Sequence, residues 1–130
     1  MLGEPSELVP LRDKIQLALD RAGNVMTIED LYWFVLTGGV QLWITPSASA
    51  CMFTEVVNYT RVKALCWLYT AGNMKDALKM VPSIAQWAIA QGCTRAQFFG
   101  WPGWFRAFRK VPYSTAVFGF AELSELTDGR

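Results

Sequence analysis

Histidine is missing from this 130-residue sequence. It is the commonest general base near neutral pH, the usual activator of Ser and Cys nucleophiles, and a frequent zinc ligand. Its absence excludes Ser/His and Cys/His catalytic pairs and mixed Cys/His zinc sites. Any acid–base chemistry must therefore rest on Glu, Asp, Tyr, Lys, Cys or water.

Cysteine and net charge are also scarce. Cys51, Cys66 and Cys93 form no CxxC pair, so we expect buried, reduced thiols and no metal site. Lysine and arginine number 12 against 11 aspartates and glutamates. This balance gives no field that would attract a polyanion, so nucleic acid is not an expected partner.

Long hydrophobic runs are absent as well. No apolar stretch approaches the ~20 residues that a membrane-spanning helix needs, because charged or turn residues interrupt every candidate. The first seven residues include two glutamates and lack the basic and apolar regions of a signal peptide. We expect a protein that stays inside the cell that makes it and does not contact membranes.

Aromatic residues, by contrast, are abundant: 6 Trp, 8 Phe and 4 Tyr. The length predicts one domain over residues 1–130, with a frayed tail at 124–130. A domain of this size has more surface than interior, so we expect some of these rings at the surface, where partner interfaces recruit aromatics.

Hydrophobic periodicity predicts an α+β chain. Helices are expected over 10–22 and from the Thr27 cap to Gly38, the second with Leu31, Phe34 and Val35 on one apolar face. A third helix is expected over 74–91, where Pro82 predicts a kink or a break. Three consecutive antiparallel strands are expected over 41–45, 50–60 and 62–70. In the third strand Trp67 and Tyr69 share one apolar face and Cys66 lies on the other, which predicts a central strand. A strand over 94–99, a short helix over 102–108 and a strand over 113–123 follow.

Three segments carry a resemblance to a known family. They are Lys63–Asn73 (KALCWLYTAGN), Ala85–Cys93 (AQWAIAQGC) and Gly100–Phe108 (GWPGWFRAF). In order and spacing they resemble short, divergent GNAT-like proteins encoded by tailed bacteriophages, GNAT being a superfamily of N-acetyltransferases. The resemblance implies a mixed, mainly antiparallel sheet with helices on both faces, in which the first family strand is missing or unrecognised.

The resemblance also identifies where acetyl-CoA would bind. In GNAT enzymes a Gln/Arg-x-x-Gly-x-Gly/Ala turn before the long helix binds the CoA pyrophosphate through backbone N–H groups. The candidate positions in this sequence are Tyr69, Thr70, Gly72 and Asn73. The leading Arg or Gln is absent, Met74 replaces a small residue, and Asn73 is better explained as a helix N-cap. We therefore expect no cofactor.

Catalytic candidates are equally few. The family draws a general base from a Glu near the sheet and a general acid from a Tyr, and Glu55 and Tyr113 are the nearest matches. The residues themselves favour another interpretation: Glu55 faces solvent at a sheet edge, and Tyr113 packs its ring at a strand start. We expect no catalytic residue.

The Gly/Trp-rich segment is the best interface candidate. Three large rings on one short helix cannot all face a small core. Phe105 and Phe108 suit the core, which leaves Trp101 and Trp104 for an interface. Arg106, Arg109 and Lys110 form a basic edge that either meets phosphates or acidic side chains or is simply solvated.

Together these features predict a non-catalytic phage GNAT-like protein with a structural or assembly role. Its expected partners are other phage structural proteins or further copies of itself, in the host cytoplasm during assembly and in the virion. One alternative is a CoA-dependent N-acyltransferase modifying an amine, for which acetyl-CoA would be the cofactor. Another is a small inhibitor of a host protein. The fold alone does not separate them.

Overall fold

The computed structural model describes residues 6–98 and 121–126. By its internal contacts the chain divides into two units, residues 1–98 and 99–130. The first unit holds a four-stranded sheet and three helices of nine to 17 residues. The described part of the second unit contains one short helix. The predicted single domain over 1–130 stays a prediction.

A 3-10 helix and two α-helices precede the sheet. A 3-10 helix, Ser6–Leu11, contains Pro10 and leads directly into α1, Arg12–Arg21. Helix α2, Ile28–Leu36, begins with a capping box, as the sequence predicts. The Thr27 hydroxyl accepts from the Asp30 N–H at 3.1 Å, and the Asp30 carboxylate accepts from the Thr27 N–H at 3.1 Å. Such a cap stabilises a helix by about 1 kcal/mol.

The sheet has the order β1-β2-β3-β4. Strands β1 (Gln41–Ile44), β2 (Ala50–Asn58) and β3 (Lys63–Gly72) are consecutive and antiparallel. Strand β4, Arg95–Phe98, pairs in parallel with the first half of β3. The prediction of three antiparallel strands with a central third strand is therefore confirmed.

Helix α3, Met74–Ala90, connects β3 to β4. Parallel strands require such a crossover, because no tight turn can join them. The helix continues through Pro82, so it does not break there, and the predicted alternative, a kink, stays a prediction. Buried Ile84 and Ala88 follow the proline, and their packing holds the second half of the helix in place although proline removes one backbone hydrogen bond.

Helices cover both faces of the sheet. Phe53 on β2 lies in the core formed with the 3-10 helix, α1 and α2, through Leu8, Ile15 and Leu31 among others. Side chains alternate along a strand, so the neighbouring Met52 and Thr54 face the other side. On that side the Trp43 ring of β1 contacts the Trp87 ring of α3. The predicted α+β class, a mainly antiparallel sheet with helices on both faces, is confirmed.

A register shift in the middle of β3 changes which side chains share a face. Phe53 pairs with Tyr69 but Thr54 pairs with Trp67, so Leu68 is an extra residue on β3. Leu68 and Tyr69 consequently both pack on the core under α1 and α2. The prediction that Tyr69 shares a face with Trp67 is therefore wrong, because simple alternation does not survive a bulge.

Two further expectations need correction. The spacing on α2 places Phe34 on its buried face, but 43% of Phe34 is exposed. The predicted strand does not reach Leu123, which begins helix α4, Leu123–Leu126. The predicted frayed tail over 124–130 stays a prediction, and 127–130 lie outside the described residues.

Candidate acyl-CoA turn and the adjoining sheet face

The turn that would hold a CoA pyrophosphate joins β3 to α3, and Gly72 is its left-handed residue, with φ of +97°. A Cβ on Gly72 would overlap the Ser49 carbonyl oxygen and come within 2.7 Å of the Ala50 Cα. Glycine is thus required because the start of β2 packs against the turn. The Gly72 backbone is therefore in close contact with Ser49 and Ala50 on the side where its missing Cβ would lie.

Asn73 caps helix α3, as the sequence predicts. Its side-chain oxygen accepts from the Asp76 N–H at 3.0 Å, and its own N–H donates to the Ser49 carbonyl at 2.9 Å. An α-helix starts with four N–H groups that lack intrahelical partners. Two of the four are occupied here, which weakens the donor cluster that an anion needs.

Asp76 adds a negative charge at the same place. The Ser49 hydroxyl donates to the Asp76 carboxylate at 2.6 Å, and the Lys79 ammonium lies 3.7 Å from it. The Thr45 hydroxyl oxygen fixes Ser49 by accepting from the Ser49 N–H at 3.0 Å. A carboxylate in the first turn stabilises the helix and repels a second anion. The β1–β2 loop is therefore bonded to the helix start at the candidate pyrophosphate site, and the Asp76 carboxylate places a negative charge there.

The other two cofactor candidates have separate environments. Tyr69 is buried in the core beside Phe53. Burial, with a smaller contribution from the Glu55 charge, raises the pKa of the Tyr69 hydroxyl. The Thr70 hydroxyl oxygen is buried without a hydrogen-bond partner. The four candidates are neighbours in the chain but differ in role. Gly72 packs against the start of β2, Asn73 caps α3, and Tyr69 belongs to the core.

Glu55 lies on β2, within a row of side chains that crosses three strands. It pairs with Cys66 on β3, and Cys66 pairs with Gln97 on β4. Glu55 is partly buried. Burial first, and then the Glu55 charge, raise the pKa of the Cys66 thiol. Sequence reasoning found Glu55 but missed Gln97, because a parallel crossover brings Gln97 into the row.

The remaining candidates from the sequence belong to the segment between β4 and α4. Tyr113, Trp101, Trp104, Arg106 and Arg109 lie outside the described residues. Within 6–98 and 121–126, no group of three or more Asp, Glu or Cys side chains is arranged to hold a metal. None of the helices in these ranges is both long enough and apolar enough to cross a bilayer.

The three thiols are buried, as the sequence predicts. Burial raises the pKa of Cys51 to about 12. Cys93 lines a cavity of about 220 Å³ between α3 and the β3–β4 pair, together with Trp67 on β3 and Ile89 on α3. The cavity is mostly apolar. No motif in the sequence indicates it, because its walls come from three separate elements.

The mixed sheet, the α3 crossover and the helices on both faces define a GNAT-like fold. The sequence matches no known protein family and no curated protein. Solved structures do match. A mutant of the BH1408 protein of Bacillus halodurans has a TM-score of 0.59 at 8% identity, covering 89% of this chain and 92% of that one.

Two further solved structures agree with this fold. A Trypanosoma brucei acetyltransferase has a TM-score of 0.56 at 7% identity and covers 85% of this chain and 92% of its own. The TTHA1254 protein of Thermus thermophilus, as a point mutant, has a TM-score of 0.54 at 12% identity, covering 85% and 89%. At such low identity the likeness concerns the fold, and function has to be argued from the site.

Proposed function

We propose that this chain is a non-catalytic GNAT-fold protein that acts through protein–protein contacts, as a structural or assembly component of a bacteriophage particle. The main support is the occupied turn before α3. Ser49, Asn73 and Asp76 bond to one another where GNAT enzymes would bind the CoA pyrophosphate. The phage context rests on the resemblance of the three sequence segments.

Exposed apolar side chains support a role in protein contacts. Helix α2 exposes 51% of Trp33, 43% of Phe34 and 52% of Leu36. Protein interfaces are enriched in aromatic residues of this kind. Trp101 and Trp104 are the further interface candidates from the sequence, and Arg106 and Arg109 are the candidate basic edge.

A melting experiment with acetyl-CoA tests the non-catalytic part. A ligand of Kd ~10 μM present at ~1 mM would stabilise the folded state by about 2.7 kcal/mol. In a domain of this size that corresponds to a rise of roughly 5–15 °C in Tm. We expect no rise beyond that given by the same concentration of 3′-phospho-AMP.

A working CoA-dependent N-acyltransferase is the second candidate. It is favoured by the fold shared with a solved acetyltransferase and by the Glu55 charge, which together with burial raises the pKa of the Tyr69 hydroxyl. A saturable rise in Tm specific to acetyl-CoA would overturn our proposal in favour of this enzyme.

The contact role has its own test. Trp104→Ala and Trp33→Ala are compared with the unmodified protein by size-exclusion chromatography, pull-down from phage-infected cells and thermal melting. An anchor ring at a desolvated interface is often worth ~2 kcal/mol or more. We expect weaker association with a smaller loss of stability. Unchanged association of both variants would contradict the contact role, and a collapse in Tm would assign the ring to the core.

A further inference from the structure

Helix α2 presents an exposed indole ring beside acidic side chains. Trp33 is 51% exposed, and the exposed residues Glu29 and Asp30 precede it in the same helix. Residues three and four apart are neighbours on a helix surface, so both carboxylates lie beside the ring. The Arg12 guanidinium lies 3.3 Å from Glu29, but two carboxylates against one guanidinium leave a net negative charge. This surface of α2 is therefore aromatic and acidic.

The cavity between α3 and the β3–β4 pair has an apolar floor and an exposed rim. Leu65 and Trp67 on β3 and Ala88 on α3 line it and are buried. Its rim includes Ile89 on α3, which is 69% exposed, and Ala96 on β4, which is exposed as well. A side chain from outside can therefore enter at the rim and contact the floor.

The volume of the cavity suits one aromatic ring. An apolar cavity of about 150 Å³ holds a benzene molecule. This cavity measures about 220 Å³, and it is larger in much the proportion by which an indole ring exceeds benzene. An indole inserted here would lie against the Trp67 ring and the Ile89 side chain. Such a buried ring is the usual form of an anchor at a protein interface.

Basic side chains surround the cavity. Arg95 lines it, and Lys63 lies at the adjoining end of α3, where its ammonium donates to the Gln91 carbonyl. Every charged residue in the sequence from 77 to 121 is Lys or Arg. The cavity rim is thus of the opposite sign to the α2 surface. Complementary charge of this kind selects a partner and speeds association.

The two surfaces lie on opposite faces of the sheet. Leu31 anchors α2 in the core with Phe53 on one face, whereas the cavity lies beneath α3 on the other. One copy of the chain cannot present both surfaces to the same neighbour. A contact between them therefore joins copies head to tail and repeats, which gives an open chain or a closed ring.

We infer that this protein binds a second copy of itself, with Trp33 of one copy inserted in the cavity between α3 and the β3–β4 pair of the next. The inference rests on the proposed role in protein contacts and names the partner and the anchor residue. The carboxylates beside Trp33 then face the basic rim that includes Arg95. Repetition of this contact assembles many copies, as a component of a particle requires.

Sedimentation velocity over a series of protein concentrations tests the inference. From micromolar to millimolar protein at low ionic strength, we expect the mean mass to rise beyond that of a dimer. Added salt should weaken association, because it screens the complementary charges. Trp33→Ala should raise the dissociation constant roughly tenfold or more. Leu17→Ala, which removes an exposed side chain from α1, is the control and should leave association unchanged.

Three results would overturn the inference. The first is a protein that stays monomeric or stops at a dimer, the second is unchanged association of Trp33→Ala, and the third is an equal loss in Leu17→Ala.

Substitutions at the cavity test the other half of the contact. Ala96 pairs with Leu65, and Ala96→Trp should fill the cavity from its rim and leave the protein monomeric. Ala90→Trp adds the same ring at an exposed position of α3 that does not line the cavity, and it should associate normally. Ile89→Asp, at the exposed rim, is a second blocking variant in case Ala96→Trp does not fold. Normal association of a folded blocking variant would refute the role of the cavity.

A mixture of two variants gives the sharpest result. Trp33→Ala keeps the cavity and Ala96→Trp keeps the Trp33 ring, so each should be monomeric alone. Mixed together, they should form a dimer of one copy of each that grows no further. Formation of that dimer also shows that both variants are folded. Two folded variants that stay monomeric in the mixture would contradict the head-to-tail contact.

The result is separable from the tests of the proposed function. A chain that does not self-associate overturns this inference, whereas pull-down from phage-infected cells decides the contact role with other proteins. A rise in Tm with acetyl-CoA would overturn the non-catalytic proposal whatever the state of association.

Discussion

The Ser49 hydroxyl and the Asp76 carboxylate, 27 residues apart in the sequence, are joined by a hydrogen bond of 2.6 Å. This bond fastens the β1–β2 loop to the first turn of α3. A hydrogen bond to a charged group contributes about 1.5–3 kcal/mol, less where solvent reaches it. The same bond keeps a negative charge where a CoA pyrophosphate would have to lie.

Removing this hydroxyl should lower the stability of the fold. Ser49→Ala is expected to reduce the free energy of unfolding by about 1–2 kcal/mol, measured by urea denaturation. Ser83→Ala is the matched control, because Ser83 is an exposed serine on α3, the helix that carries Asp76. The control should change stability by no more than about 0.5 kcal/mol. Equal effects of the two substitutions would show that the Ser49–Asp76 bond contributes nothing.

Gly72→Ala separates steric overlap from backbone strain. Gly72 and Gly38 both have positive φ, +97° and +89°, but a Cβ on Gly38 meets nothing within 4 Å. Gly38→Ala should therefore lower the free energy of unfolding by about 1–2 kcal/mol, the cost of placing a residue with a Cβ in the left-handed backbone region. Gly72→Ala should cost ~3 kcal/mol or more, since the Cβ also collides with the start of β2. Denaturation midpoints of the two variants measure the difference, and similar costs would contradict the close packing.

The contact between Trp43 and Trp87 should be measurable as a coupling energy. The ring centroids are 5.3 Å apart with the planes at 73°, an edge-to-face arrangement. A double-mutant cycle with Trp43→Leu and Trp87→Leu is expected to give a coupling of about 0.5–1.5 kcal/mol. A cycle that pairs Trp43→Leu with Trp33→Leu on α2 is the control and should give a coupling near zero. A coupling near zero in both cycles would mean that the two rings do not stabilise each other.

Alkaline pH should destabilise the protein. In the unfolded chain the Cys51 thiol ionises near its ordinary pKa of 9.0, while in the folded protein burial raises this pKa to about 12. The stabilising contribution is therefore complete below pH 9 and is lost as the pH rises from 9 towards 12, by at most about 1.4 kcal/mol per pH unit. The raised pKa values of Cys66 and Tyr69 act in the same direction.

Cys51→Ala isolates this effect, because its cavity cost does not vary with pH. Urea denaturation under reducing conditions at several pH values from about 7 to 10.5 should show a shallower decline for Cys51→Ala than for the unmodified protein. Parallel declines would show that Cys51 ionises equally easily in the folded and unfolded chain.

The sequence by itself determined the local features. Thr27 and Asn73 cap their helices because a short side chain with an acceptor oxygen, followed by an acid three residues later, can bond backbone N–H groups nearby. Three consecutive segments rich in β-branched and aromatic residues predicted the three antiparallel strands. The apolar neighbours of the three cysteines predicted their burial. Each of these features depends on residues close together in the chain.

Only the tertiary structure decided the features that join distant residues. Because Leu68 is an extra residue on β3, the Tyr69 side chain points into the core. No local sequence signal predicts at which residue such a bulge forms. The parallel pairing of β4 brings Gln97 into line with Glu55, and the β1–β2 loop brings Ser49 to Asp76. Hydrophobic periodicity reports which side of one element is apolar, but it does not say what will lie against that side. The bond between the β1–β2 loop and the start of α3 depends on such long-range packing.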